Sequence, residues 1–389
     1  MPVTHENQQL PKKIAIVIPK YGLVGGGERF AGELTAHLAR SGNFELHVFA
    51  NKWVPNSDRI TFHKVPIIRF PRFLRPLSFA WFAQRLIDRA ECDIVHSHDR
   101  IFRADVFSVH FVPHGGWVRD VRKKRQSLFD RAMTAIESRM MASGASSWFL
   151  PVSSIAMEKF RQEYAALPGN WRIVPPGVDI QQFSSPDRDR CRAEIRKRHG
   201  IGDSDLLVLF IGMNFEVKGL DTIIAALAKA RAAQPAAGIH LLVVGRGNEA
   251  KYRDISRAHG IADAVHFAGT QSEGIERYYR AADFFAMLST FDTFGMVVLE
   301  AMAAGLPVII SQNVGARDLV EEGVNGFVIA DGNDVGEAAE KMISLLDLDR
   351  RKSMGIAAAQ TAVQHDWSRL SENMTEIYES KISSQAVTE

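Results

Sequence analysis

The chain has 389 residues, enough for two domains at about 100–200 residues each. Its apolar share of 46% and charged share of 24% are those of a globular protein with sizeable cores, and a net charge of +2 is too small to indicate nucleic acid. The two cysteines, Cys92 and Cys191, lie far apart without a CxxC partner, which argues against a disulfide framework and fits a cytoplasmic setting.

The opening MPVTHENQQLPKK is polar without an apolar core, so it reads as a frayed tail and not as a signal peptide. No run of about 18 apolar residues follows, so no membrane span is expected. Ile14 to Ile18 reads as a buried parallel strand, Gly25-Gly26-Gly27 as the turn after it, and Phe30, Leu34 and Leu38 as one face of the next helix. Further strands are expected at Phe44–Phe49, Asp93–His96, Val106–Val109 and Trp148–Val152, and a helix with a basic start at 118–142. Pro175-Pro176-Gly177-Val178-Asp179 breaks regular structure and reads as the linker. A second α/β series begins at Leu206–Ile211. Its helix is spaced by Leu220, Ile223, Ile224 and Leu227, and its later strands fall at Leu241–Val244, His266–Ala268, Phe284–Leu288 and Val308–Ile310. A last helix runs from about Asp366 to Ile382. Strands alternating with helices predict an α/β fold of two Rossmann-like domains with parallel sheets.

Three loops carry candidate chemistry. Gly25-Gly26-Gly27-Glu28 can bring backbone close to a ligand at a helix N-terminus; it is not GxGxxG, which disfavours a nicotinamide site, and a plain tight turn explains it as well. Gly212-Met213-Asn214-Phe215-Glu216-Val217-Lys218-Gly219 leaves a strand and enters a helix, with Lys218 as a point charge where a phosphate could sit. The loop Ser289–Gly295 carries Asp292 and opens a helix at Met296, whose unpaired amides form a ledge for an anion or hydroxyl. Glu300 lies on the otherwise apolar helix 296–304, where a carboxylate must pair or bind; a structural partner such as arginine and a ribose diol are the two readings.

Asp292, seven residues, then Glu300, with Phe294-Gly295 between them, resembles the hallmark of glycosyltransferase family 4, a retaining family with the GT-B fold. Leu299 to Ile309, Asn325-Gly326-Phe327, Asp93 to His98 and Pro176-Gly177-Val178-Asp179 look like landmarks of the same family. The likeness runs from about Ile14 to Ile382, and the Asn-Phe-x-x-Lys-Gly string at 214–219 resembles bacterial lipopolysaccharide-core and surface-polysaccharide transferases in particular. It implies two domains facing across a cleft: an acceptor-binding domain at 1–176, a nucleotide-sugar domain at 177–365, and a helix at 366–389 returning to the first. It implies that Glu300 holds the donor ribose, that Asp292 and the amides of Phe294, Gly295 and Met296 meet sugar hydroxyls, and that Lys218 contacts the diphosphate. Asn214, Gly245 and Arg246 join the donor set, and Gly26 and Gly27 line the site from the N-terminal domain. Two departures stand out: Asp292 replaces the usual Glu, and Met213 stands where relatives often carry Arg.

The family also places a histidine after an N-terminal strand near the reacting sugar. His110 is the first candidate and His114 the second. His96-x-His98-Asp99 invites a metal reading, but histidines two apart on an extended segment point to opposite faces; no metal or cofactor is expected. Arg69, Arg72, Arg75, Arg85 and Arg89 interleave with Phe70, Phe73, Leu74, Phe79, Trp81 and Phe82, and Arg122-Lys123-Lys124-Arg125 follows Trp117. This suits an anionic membrane surface or a phosphorylated glycolipid acceptor as well as a solvated face.

The expected activity is retaining, metal-independent transfer of a hexose or heptose from a nucleoside-diphosphate sugar, expected to be a UDP-sugar, to a glycan or lipid-linked glycan. Lipopolysaccharide-core or other envelope synthesis is the expected setting, at the cytoplasmic face of the inner membrane. A UDP-sugar 2-epimerase and a non-catalytic nucleotide-sugar-binding protein are the rivals.

Overall fold

The computed structural model describes residues 11–23, 25–185, 187–271 and 273–386. The chain divides into two compact units, one running up to Val174 and resuming at Trp367, the other spanning Pro175–Asp366. Of the polar opening, residues 1–10 lie outside the described residues, while Lys12 and Lys13 already belong to the first strand.

The first unit holds seven parallel strands: β1 (Lys12–Val17), β2 (Phe44–Ala50), β3 (Ile60–Lys64), β4 (Ile94–Ser97), β5 (Val106–Val109), β6 (Trp148–Pro151) and β7 (Asn170–Trp171). Their spatial order is β3-β2-β1-β4-β5-β6-β7. Ile14 to Val17 are wholly buried, as a parallel sheet covered on both faces requires. Helix α1 (Gly26–Ser41) turns Phe30, Leu34 and Leu38 inward at i, i+4, i+8, and a left-handed Gly42 ends it. Burying each of these side chains is worth about 1.5–3 kcal/mol.

Two expectations in this unit need correction. Helix α2 (Leu74–Ala90) takes up much of the basic and aromatic stretch, and it buries Phe79 in the core with Phe82 packed against it. Only Phe70, 87% exposed, and Trp81, 49% exposed, remain as large exposed aromatics of that stretch. The basic helix at 118–142 is not continuous either. A π-helical turn at Trp117–Val121 is followed by a break, and α3 (Leu128–Ser143) starts afresh at Ser127. The cause is local: Ser127 and Asp130 form a capping box, which fixes an N-terminus in mid-segment, and Lys123 takes a positive φ of 49°. Arg122 to Arg125 therefore sit in an irregular segment.

In the second unit, α4 (Arg188–His199) precedes β8 (Leu206–Met213), α5 (Leu220–Ala233), β9 (Ile239–Arg246), β10 (Val265–Gly269), α6 (Ile275–Ala281), β11 (Phe284–Met287), α7 (Met296–Ala303), β12 (Val308–Ser311) and β13 (Gly326–Ile329). The six strands are parallel in the order β10-β9-β8-β11-β12-β13. Leu220, Ile223, Ile224 and Leu227 of α5 are buried against this sheet. A buried ion cluster locks its base: Asp283 accepts from Arg196 at 2.7 Å, Arg192 at 2.9 Å and the Leu207 amide at 2.7 Å.

Helix α8 (Trp367–Ala386) belongs to the first unit, against α1. Trp367 meets Phe30 edge-on at 5.6 Å between centroids, Tyr378 meets Phe44 at 5.6 Å, and Lys381 donates to the Ser146 carbonyl at 2.8 Å.

Candidate functional site

Each sheet reverses its direction of growth at its first strand: β1 lies between β2 and β4, and β8 between β9 and β11. The carboxyl ends at such a switch point are where open parallel sheets bind ligands. The glycines, Lys218, Asp292, Glu300 and His110 singled out by sequence lie near these two places, whereas His114 and the segment 122–125 do not.

In the second unit the loops after β8, β9 and β11 are held together by backbone fit. Gly245 has φ 127°, and a Cβ there would stand 1.9 Å from the Gly212 carbonyl oxygen. Gly219, with φ 72°, would clash with the Leu288 carbonyl at 2.1 Å. Only glycine meets both demands. Asn214 adopts a left-handed φ of 65° and donates its amide to the Arg246 carbonyl at 2.9 Å. Arg246 and Met213 are exposed, and the Arg246 guanidinium has no partner among the described residues.

Lys218 is brought by this loop onto Asp292, and the two side chains form an ion pair. Asp292 is held in turn: its amide donates to the Asn313 carbonyl at 2.9 Å, and its other carboxylate oxygen accepts from the Phe294 amide at 3.2 Å. Phe294 thus spends its amide on Asp292 and its ring in the core, at 3% exposure, which leaves it a supporting part and not the direct contact that the sequence suggested. Gly295, with φ 86°, caps α7, and the amides of Gly295 and Met296 open its first turn. One turn on, Glu300 is buried and accepts from the Tyr279 hydroxyl of α6 at 2.6 Å. The carboxylate on the apolar helix thus has a tyrosine partner, a residue that sequence spacing gave no reason to select.

In the first unit Gly25, with φ 151°, precedes α1, and Gly26 and Gly27 form its first turn. No atom lies within 4 Å of where a Gly26 Cβ would stand; at Gly27 it would touch the His110 ring at 3.4 Å. His110 follows β5 directly, half-buried, with the Phe30 ring at 4.6 Å and His98 Nδ1 at 3.1 Å from its Nε2. His96 and His98 do not diverge as an extended segment would require: their rings are 4.2 Å apart, because β4 ends at Ser97 and the alternation ends with it. His96 bonds the Tyr378 hydroxyl at 2.6 Å and Ser108 at 2.9 Å. Burial pushes both His96 and His110 down to about 3, and burial with two neighbouring rings pushes His98 well below the usual imidazole range. All three are neutral at physiological pH.

His114 is engaged elsewhere. Its ring bonds Asp130 at 2.9 Å and its amide faces Glu137, which also holds Arg100 at 2.7 Å and Tyr164 at 2.9 Å. The Ser127 hydroxyl, aided by the Ser127 amide and by His114, holds the Asp130 carboxyl at about 2. Lys123, Lys124 and Arg125 line a surface pocket with Arg119 and Glu163, while Arg122 lies over the Trp117 ring at 5.3 Å.

Comparison with known proteins gives this arrangement a family. Residues 24–182 match the family model described as Glycosyltransferase Family 4, and residues 192–361 that of Glycosyl transferases group 1. A D-inositol 3-phosphate glycosyltransferase of Corynebacterium kroppenstedtii is 32% identical over 227 residues, 56% of this chain and 50% of the relative. The chain spans about half the length of the curated relatives it matches. Among solved structures, WaaG, a glycosyltransferase involved in lipopolysaccharide biosynthesis, is similar at a TM-score of 0.77 and 23% identity, over 94% of this chain and 99% of that one. HepE of Anabaena, solved with UDP, is similar at 0.71 and 19%, over 95% and 100%. These likenesses show the GT-B fold. The two family models together take in most of the sequence, so the chain carries a Glycosyltransferase Family 4 domain followed by a Glycosyl transferases group 1 domain.

Proposed function

We propose that this chain is a retaining, metal-independent glycosyltransferase that moves a hexose or heptose from a nucleoside-diphosphate sugar to a glycan or lipid-linked glycan acceptor. The observation that carries this reading is the Lys218–Asp292 pair at the switch point between β8 and β11. It sets a cation and a carboxylate side by side, next to the open amides of α7. A diphosphate would draw Lys218 onto its oxygens, aided by the exposed Arg246, and would release Asp292 to accept from sugar hydroxyls. Glu300, steadied by Tyr279, is assigned to the ribose, and His110 with Gly26 and Gly27 to the reacting sugar. In the reaction the anomeric bond to the leaving diphosphate breaks, the acceptor oxygen bonds the same face, and the acceptor proton passes to the departing phosphate oxygen. The protein contributes orientation and fixed charge.

UDP is the proposed nucleotide of the donor, since HepE has been solved with UDP and with UDP-glucose. Envelope or lipopolysaccharide-core synthesis is the proposed setting by likeness to WaaG. The test is slow, acceptor-independent release of nucleoside diphosphate from UDP-, GDP- and ADP-sugars. Release is expected with UDP-sugars and is expected to fall at least about tenfold in Lys218→Ala. Release unchanged in that variant would sink the site assignment, and a changed sugar without any release would favour an epimerase.

A membrane surface is proposed as the place of work, because Ile68, Phe70 and Trp81 are exposed among Arg69, Arg72, Arg75 and Arg85. Among the described residues no helix is long and apolar enough to cross a membrane, so contact would be peripheral. Co-sedimentation with vesicles containing anionic lipid should be lost in Phe70→Ser/Trp81→Ser. Equal binding by that double variant and the parent would reject the patch.

A further inference from the structure

The histidine cluster beside α1 raises a question of proton placement. A neutral imidazole carries one N–H and one bare nitrogen. His98 is 3% exposed, and its Nε2 is buried with no hydrogen-bond partner among the described residues. Its Nδ1 faces His110 Nε2 at 3.1 Å, the two rings nearly coplanar at 8°. Two arrangements satisfy that contact. In one, His110 Nε2–H donates to His98 Nδ1, which puts the His98 proton on Nε2 as a buried donor with nothing to bind. In the other, His98 Nδ1–H donates to His110 Nε2, and the orphaned atom is a bare lone pair. A buried unpaired N–H is the costlier of the two.

We infer that His98 is a positioning residue that fixes His110 as the Nδ1–H tautomer, so that His110 offers a hydrogen-bond donor and not a base. The Phe30 ring packs on His110 at 4.6 Å between centroids, and a Cβ built at Gly27 would meet His110 at its Cβ, Cγ and Cδ2 atoms, on the Cδ2 side of the ring. The Nδ1 edge is the one left over: no described residue pairs with it, and it is not among the buried unpartnered atoms. His96 is tied to Tyr378 and Ser108, so it does not compete for His110. A donor at this point suits a sugar hydroxyl or the developing negative charge of a departing phosphate, and it cannot withdraw the acceptor proton. The geometric part stands on the contacts alone; its consequence for transfer rests on the function proposed above.

Two readouts separate these parts. In the full-length protein with ¹⁵N-labelled histidine at about pH 7.5, long-range ring correlations should show His98 and His110 both neutral and both protonated on Nδ1. His98→Asn and His110→Gln would supply the assignments. A His110 ring protonated on Nε2 would overturn the inference. In turnover, His98→Leu should lower kcat by about tenfold or more, with the donor KM changed by less than about threefold. His98→Asn, whose amide N–H can stand where Nδ1–H stood, should recover most of that loss. Equal activity of the Leu and Asn variants, both folded, would also overturn it. A parent protein with the expected tautomers and no turnover on any nucleotide sugar would reject the proposed function and leave the tautomer assignment standing.

Discussion

The two switch points solve the same topological problem with opposite chemistry. At β8 and β11 the second unit places formal charges, Lys218 against Asp292, on loops pinned by glycines that no other residue could replace. Beside β1, along the ends of β4 and β5, the first unit places neutral rings, His96, His98 and His110, near a glycine turn with space above it. Charge belongs where a charged ligand replaces its internal partner, because a largely buried charge must stay paired whether or not ligand is bound. Neutral dipoles belong where orientation matters, because they keep their direction without a counter-charge.

The glycines are the sharpest way to test that contrast. Gly245→Ala requires a Cβ 1.9 Å from the Gly212 carbonyl at φ 127°, so the loops after β8 and β9 would have to part. A loss of at least about 3 kcal/mol, or no folded second unit, is expected in denaturant unfolding. Gly26→Ala places a methyl group where nothing lies within 4 Å, in the first turn of a helix. Its stability should be unchanged or raised by up to about 1 kcal/mol, while nucleotide-sugar turnover falls if the space is used by ligand. Equal stability of the two variants would mean that the second site is not held by backbone fit.

What the sequence revealed and what it hid follow the same division. Period and spacing placed β1, α1, β8 and α5 because their burial repeats along the chain. Lys218, Asp292 and Glu300 were legible because a charge after an apolar strand, or on an apolar helix, has to be accounted for. Strand β3, with its mixed burial, and the short β13 carry too little pattern to stand out. The partners were hidden for a different reason. Tyr279 meets Glu300 across 21 residues, His96 meets Tyr378 across 282, and no local rule reports a contact of that range. The His96–His98 juxtaposition was misread because a period-two rule was carried one residue past the strand end.

The smaller effect is the pH response, and it distinguishes the two units by size and by probe. His96 and His110 sit at about 3 in the folded chain, against about 6.5 for a free imidazole. Between those values the unfolded chain binds protons that the folded chain refuses, so stability is fully present above about pH 6.5 and is lost as pH falls toward 3. Carboxylates held low, Asp93 by the Lys13 amide and Lys12 and Asp130 by Ser127, add their own loss only below about pH 4. From about pH 6.5 to 5 the histidines therefore act without these carboxylates, while Asp99, whose carboxyl burial pushes up, works in the opposite sense. All six tryptophans, Trp53, Trp81, Trp117, Trp148, Trp171 and Trp367, lie in the first unit, so tryptophan fluorescence reports that unit only. In the second unit His266 is also lowered, to about 4, by burial and its histidine neighbours, and His199, His240 and His365 are lowered by burial, but none of these rings is as deeply buried as His96 and His98. The denaturation midpoint seen by tryptophan should fall steadily from about pH 6.5 to 5, by more than the midpoint seen by far-ultraviolet dichroism of the whole chain. A flat tryptophan midpoint over that range would mean that the rings take up protons in the folded state, and the neutral half of the comparison would fail.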